Sequence, residues 1–286
     1  MVMEARLRQL LTVVLVAGLS LARIVPSAAF SVASTKTLEE LSDNSDPYQA
    51  NDIVTGFGVD ARQAGFAHCL REVLVRLSGE PRLEHDQRVS ALAEYADSMV
   101  SSFDYADVLL GLGFPVHDDQ GTADRPEYLV VVFDRAKIDQ ALVELGERPW
   151  HGPRPQVVPV LAVHGPTVTY LLSAEAKRGT DQRGSLAAAA FQYGLSLRIP
   201  TDAELVAWGV VLDGFPKPQA EPKDEQPLVA GTLEFDEAKP GWVGSWRMRW
   251  RDVDYAWEIS GVNFDEAFRA LMRGVARVAS GHGAPD

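Results

Sequence analysis

Three arginines two residues apart, Arg247, Arg249 and Arg251, carry the most directed chemistry in this chain. In an extended segment alternate side chains share a face. The three therefore point one way and can grip carboxylates or phosphates with paired N–H donors. The plainer reading is a solvated outer face neutralised by Asp252, Asp254 and Glu258, since exposed ion pairs contribute little. Trp150, between Arg148 and Arg154, is the second candidate: a contact for a partner, or a packed plug between two halves of the chain. These four residues, Arg247, Arg249, Arg251 and Trp150, make up the candidate interaction surface.

Other chemistries find less support. A serine hydrolase of the GxSxG type is absent, and His68 beside Cys69 cannot form a nucleophile–base pair on a helix, where neighbouring residues diverge by about 100°. Cys69 falls on an apolar helical face and reads as a buried, inert thiol. The clusters His117-Asp118-Asp119 with Asp124, and Glu84-His85-Asp86, sit in loops or at helix starts and lack the converging ligands of a metal centre. Neither GxxxxGK[ST] nor GxGxxG occurs, and Gly111-Leu112-Gly113 alone cradles no phosphate. The expectation is therefore no catalytic residue, no metal and no cofactor.

Charge narrows the partners. With 27 Lys+Arg against 40 Asp+Glu and a net charge of −13, the chain lacks the positive field that nucleic acid or an anionic membrane surface requires. One cysteine among 286 residues excludes an internal disulfide.

Arg6 and Arg8 precede an apolar run at residues 10–21, the length of a signal-peptide core and short of the roughly 20 residues that cross a bilayer. Ser27 and Ala29 suit cleavage before Phe30, which takes away three Arg and one Glu and leaves −15; an uncleaved anchor is the alternative.

The elements that must position the arginines follow from periodicity. Residues 30–52 read as a polar arm. Residues 53–59 make a short strand, residues 61–77 a helix, and a second helical stretch starts at Glu80-Pro81 and runs to Met99 and Val100. Two strands follow, the second an apolar run at 127–133, then a helix at 135–145 capped by Asp134 and closed by Gly146. Residues 53–147 thus read β-α-α-β-β-α. Three prolines among residues 148–155 mark a linker. A second unit, residues 156–280, begins with a strand in which Pro159 marks an edge or bulge. It continues through a paired strand, an alanine-rich helix and a helix capped at Thr201, then a proline-rich loop at 215–226. Strand 228–235 and a hairpin at 241–259 supply three consecutive antiparallel strands, with Asp252-Val253-Asp254 as the turn. The hairpin puts Trp242, Trp246, Met248 and Trp250 opposite the arginines. A last helix, capped by Asn263 or Asp265, carries Phe264, Phe268, Leu271, Val275 and Val278 at helical spacing. It should lie on the tryptophan face, which left wet would be a large apolar patch. Residues 281–286 are a tail.

The order of RLSG (residues 76–79), VVFD (131–134), RPW and GPRP around Trp150 and Pro153, and AGTL (230–233) before a tryptophan-rich strand resembles the exported bacterial family described as domain of unknown function 2066. The likeness covers roughly residues 50–280 and implies a cell-envelope setting with no catalytic residue to carry over. The stretch between Trp208 and Leu228 departs from it. At the level of fold, the second half looks like the small α/β domains that open Tol-system propeller proteins or occur in outer-membrane lipoprotein activators of cell-wall synthases, an analogy that carries no function.

The expected fold is α+β or α/β: two small units, each a mixed or antiparallel sheet packed with helices, after a signal peptide. The expected role is a non-catalytic exported protein of the periplasm or cell envelope that contacts another envelope protein, with no nucleic-acid partner and no stable membrane span. A small-ligand or glycan binder using the cleft between the halves near Trp150, and a hydrolase without a recognisable motif, are the alternatives.

Overall fold

A computed structural model describes residues 36–41, 46–108, 110, 126–220, 226–238 and 240–285. The signal segment and the His117-Asp118-Asp119 cluster with Asp124 lie outside these residues. Val32–Asp286 forms one compact unit of mixed α+β structure.

The first layer holds α1 (Leu38–Leu41), β1 (Gln49–Thr55), α2 (Val59–Ser78), α3 (Gln87–Ala93), β2 (Val100–Asp107), β3 (Pro126–Phe133) and α4 (Arg135–Leu145). The apolar run β3 is central in an antiparallel sheet of order β1-β3-β2. Helix α2 buries Phe66, Cys69, Leu70, Val73, Leu74 and Leu77, the apolar face read from its spacing. It lies close against the sheet because Gly65 carries no side chain: a Cβ there would come within 2.6 Å of Leu129 and 2.9 Å of Val54.

Two boundaries differ from periodicity. Strand β1 begins at Gln49, inside the segment read as an arm, because β3 offers it backbone partners from Val132 to Pro126 whatever the polarity of Asn51 and Asp52. The second helical stretch is broken. Pro81–His85 is a 3₁₀ turn, Asp86 caps α3 by accepting from Arg88 N, a second 3₁₀ turn spans Ala96–Met99, and strand β2 starts at Val100. A side chain able to cap starts a new helix where a continuous one would have run.

The second layer holds β4 (Gln156–His164), β5 (Thr169–Leu171), α5 (Thr180–Gln192), β6 (Ser196–Leu197), α6 (Asp202–Ala207), β7 (Leu228–Asp236), β8 (Gly241–Trp250), β9 (Val253–Val262) and α7 (Phe264–Ser280). Its sheet runs β5-β4-β7-β8-β9, with β6 beside the start of β4. The β4–β7 and β4–β6 pairs are parallel and the others antiparallel. Strand β4 is internal as a whole, yet at Pro159, expected to mark an edge or bulge, one side is left unpaired by the described strands. The missing N–H does no harm there. Val158 N donates toward β7, so residue 159 faces the other side, and on that side β6 pairs only Gln156 and Val157 while β5 starts at Ala162.

The hairpin turn also moves. Trp250 pairs with Val253, so the loop is Arg251-Asp252, both at positive φ (48° and 65°), as a two-residue primed turn demands. Arg251 consequently leaves the arginine face.

Helix α7 covers the tryptophan face. Trp246 and Met248 are 1% and 2% exposed, Trp246 lies 6.4 Å from Phe268, and Trp242 packs edge-on to Phe235 and Phe264. The buried side chains of both layers form a single core. A buried contact joins the two layers: the guanidinium of Arg277 on α7 donates to both carboxylate oxygens of Glu80. No described helix is long and apolar enough to cross a membrane.

Candidate functional site

With α7 on one side of the second sheet, the other side of β7–β9 is what the arginines decorate. Register decides their surroundings. Arg247 stands between Ala230 on β7 and Ala256 on β9. Small neighbours on both flanks leave the arginine raised between two open grooves. The larger, about 460 Å³, is lined by His164, Phe215, Thr232, Glu234, Ser245 and Glu258 as well as Arg247. The other, about 420 Å³, is lined by Pro218, Leu228, Arg249, Asp254 and Tyr255.

The loop after α6 arches over this face, and the Arg247 guanidinium carbon lies 4.3 Å from the Phe215 ring centroid, a cation–π contact that fixes its direction. Ser245 donates to Glu258 (2.9 Å) across the strand pair. Arg249 reaches Asp252 at 3.3 Å and stands opposite Asp254, so much of its charge is answered locally. His164, at the end of β4, keeps a buried Nε2 without a hydrogen-bond partner among the described residues, at the rim of the larger groove. Strand β9 closes the sheet. Among the described residues no backbone group pairs with its outer edge.

The arrangement offers an anchored guanidinium, the Phe215 ring, carboxylates at Glu234 and Glu258, and a strand edge without a backbone partner among the described residues. Chemically, this face can pair Arg247 with a carboxylate, take apolar side chains into the grooves and add backbone groups along β9.

The structure brings Arg247 and Arg249 together, sets Arg251 aside in the turn with its guanidinium carbon 5.6 Å from the Trp250 ring centroid, and leaves Trp150 elsewhere. Trp150 donates from its backbone to Leu77 O (2.6 Å), packs against Gly79 and carries Arg154 over its ring at 4.4 Å. Burial first, and then the neighbouring Arg76, draw the Arg154 guanidinium down to about 10. Trp150 is a half-buried packing residue in this setting.

His68 and Cys69 also separate as their helix spacing requires. Burial pushes the Cys69 thiol well up, while half-exposed His68 faces Glu72 (3.4 Å) and Asp52 (3.8 Å). Asp86 of the Glu84-His85-Asp86 cluster serves as the cap of α3. Among the described residues no three His, Cys, Asp or Glu side chains gather as a metal site would.

One further grouping has the spacing of a hydrolytic triad. Ser280 Oγ lies 2.8 Å from His282 Nδ1, and His282 Nε2 lies 2.9 Å from Glu147. Ser280, however, ends α7, with its hydroxyl 3.1 Å from Gly79 O and 3.2 Å from Arg277 O. Carbonyl oxygens and the negative end of a helix surround the place where an oxyanion would need donors. The trio clamps the end of α7 to the segment that follows α4.

Residues 43–151 match the family model of a domain of unknown function, DUF8605. This overturns the resemblance to domain of unknown function 2066: the motifs that suggested it are short, and the matching family is a different one. No curated protein and no solved structure matches the chain. The matched segment spans β1 to α4 and ends at His151, whereas the arginine face belongs entirely to the second layer.

Several lining residues were not singled out from sequence. Thr232 and Glu234 share parity with Ala230 on β7, so alternation could place them on one face. Their meeting with Ser245 and Glu258, and the approach of His164, depend on a register and a parallel pairing that alternation does not contain.

Proposed function

We propose that this chain is an exported, non-catalytic protein of the cell envelope that works by binding another protein on the open face of β7–β9. Arg247 is the central contact. One observation carries the reading: Arg247 is flanked by two alanines and braced by Phe215, so it stands between two grooves on the sheet face opposite α7, beside a strand edge with no backbone partner among the described residues. Arginine, with tryptophan and tyrosine, is among the residue types enriched at the few positions that dominate a protein interface. The overall charge of −13 leaves this local basic feature as a distinct address for an acidic segment. Export rests on Arg6, Arg8, the apolar run at residues 10–21 and the small residues Ser27 and Ala29.

The test is a crosslinking pull-down from the native envelope, comparing wild type with Arg247→Glu/Arg249→Glu. A defined partner is captured by wild type and lost from the variant; capture that is unchanged in the variant contradicts the assignment. Intact mass from the same preparation should begin at or near Phe30, and a retained Met1 contradicts cleavage.

A further inference from the structure

Away from the arginine face, β1 and α2 of the first layer meet α5 and the start of α7 of the second around a groove of about 350 Å³. That volume lies in the range of small-molecule sites, about 300–1,000 Å³. We propose that this groove binds a short neutral carbohydrate or a polyol of like size, by hydrogen bonds from Asn51, Glu72, Ser185 and Asp265 and by packing on Phe191.

The lining chemistry selects this class. Asn51, Ser185 and Asp265 border the groove and are partly exposed to it, so it presents an amide, a hydroxyl and a carboxylate. Glu72 is oriented from behind, 3.4 Å from His68 Nε2 and 3.9 Å from Arg76 Nη2. Arg76 is itself fixed, donating to Gln49 O at 2.6 Å. Burial holds the Glu72 carboxyl above its ordinary range in spite of Arg76 and His68.

Charges of both signs are present, and among the described residues the lining holds a single guanidinium, Arg269, bound to Glu266 (2.8 Å). A phosphate or a polyanion would meet Glu72 and Asp265 with little to answer them. A hydroxyl, which both donates and accepts, suits an amide and a carboxylate side by side. Phe191 supplies the apolar element. It is 37% exposed, and Arg76 braces it with the guanidinium carbon 5.0 Å from the ring centroid. A ring so held offers the flat surface that the C–H face of a sugar packs against. Because the groove draws on both layers, its ligand would also hold them together, and binding would raise the melting temperature.

The probes are glucose, N-acetylglucosamine, cellobiose and maltose, with inorganic phosphate as the anionic control. They would be tested by saturation-transfer NMR and thermal shift on the mature chain, in wild type, Phe191→Ala and Ala188→Trp. Ala188 is an exposed groove residue on α5, so a tryptophan there fills the groove without touching the core. At least one saccharide should bind wild type and raise its melting temperature, with affinity about tenfold weaker or more in both variants. Near-UV circular dichroism establishes that the variants are folded. Should no saccharide bind wild type, should binding survive in both variants, or should phosphate bind in their place, the proposal is overturned. Arg247→Glu leaves saccharide binding intact, so this outcome is separate from that of the protein-binding face.

Discussion

The hydroxyl of Tyr193 is buried with no hydrogen-bond partner among the described residues, in a side chain 1% exposed. Burial, and secondarily Glu84, push its ionisation up to about 12 from an ordinary 10.0. Removing an unsatisfied polar atom relieves its desolvation cost, so Tyr193→Phe should be no less stable than wild type at neutral pH and up to about 1 kcal/mol more stable. The sign with pH follows from linkage. An acid whose folded pKa is raised loses stability as pH rises from the unfolded value through the folded one. Wild type should therefore fall behind the variant between pH 10 and 12 in urea melts. A variant clearly less stable at pH 7 would mean that the hydroxyl has a partner. At this scale the sequence is informative about type and weak about surroundings. The apolar position of Cys69 and the shared face of Arg247 and Arg249 are both legible from spacing. The turn residue Arg251 is not, since one step of register separates a strand position from a loop position. Nor is the isolation of the Tyr193 hydroxyl, which depends on side chains far away in the chain.

Among the elements, α7 and the tryptophan hairpin define each other. The 4, 3, 4, 3 spacing of Phe264, Phe268, Leu271, Val275 and Val278 and the alternation of Trp242, Trp246, Met248 and Trp250 are strong signals, and each faces the other as expected. Gly274 sits at their contact. A Cβ there would lie 2.6 Å from the Trp257 ring, which is pinned by its Nε1–H donating to Ala270 O at 3.1 Å. Gly274→Ala should gain helix propensity of up to about 1 kcal/mol and lose more to overpacking, by about 1–3 kcal/mol. A net fall in melting temperature, with altered tryptophan fluorescence, is expected; a rise would show that the ring can shift freely. Pro159 and the segment from Glu80 to Val100 were less legible for a common reason. Both depend on local exceptions, a strand side that no described strand pairs and a capping aspartate, that override the periodic pattern.

At the scale of the whole molecule, the pair Glu80–Arg277 ties the first turn after α2 to the last helix, with both residues buried. Arg277→Met should cost about 3–5 kcal/mol because it strands the Glu80 carboxylate, and Glu80→Gln added to it should restore much of that loss. Equal stability of the single and double variants in denaturant melts would contradict this. Long-range joints of this kind, like the groove between β1, α2, α5 and α7, bring together residues such as Asn51 and Asp265 that no local pattern relates. The mixed α+β architecture was legible because it rests on repeated short-range signals, whereas the grooves rest on register and on layer packing. The most direct test of the protein-binding assignment places a photoreactive benzoyl-phenylalanine at Ala256, which is exposed and borders both grooves. The comparison position is Val143 on α4, 60% exposed. Irradiation of native cells should give a discrete adduct from position 256 and none from position 143. Absence of an adduct at 256, or the same diffuse pattern from both positions, would contradict the account.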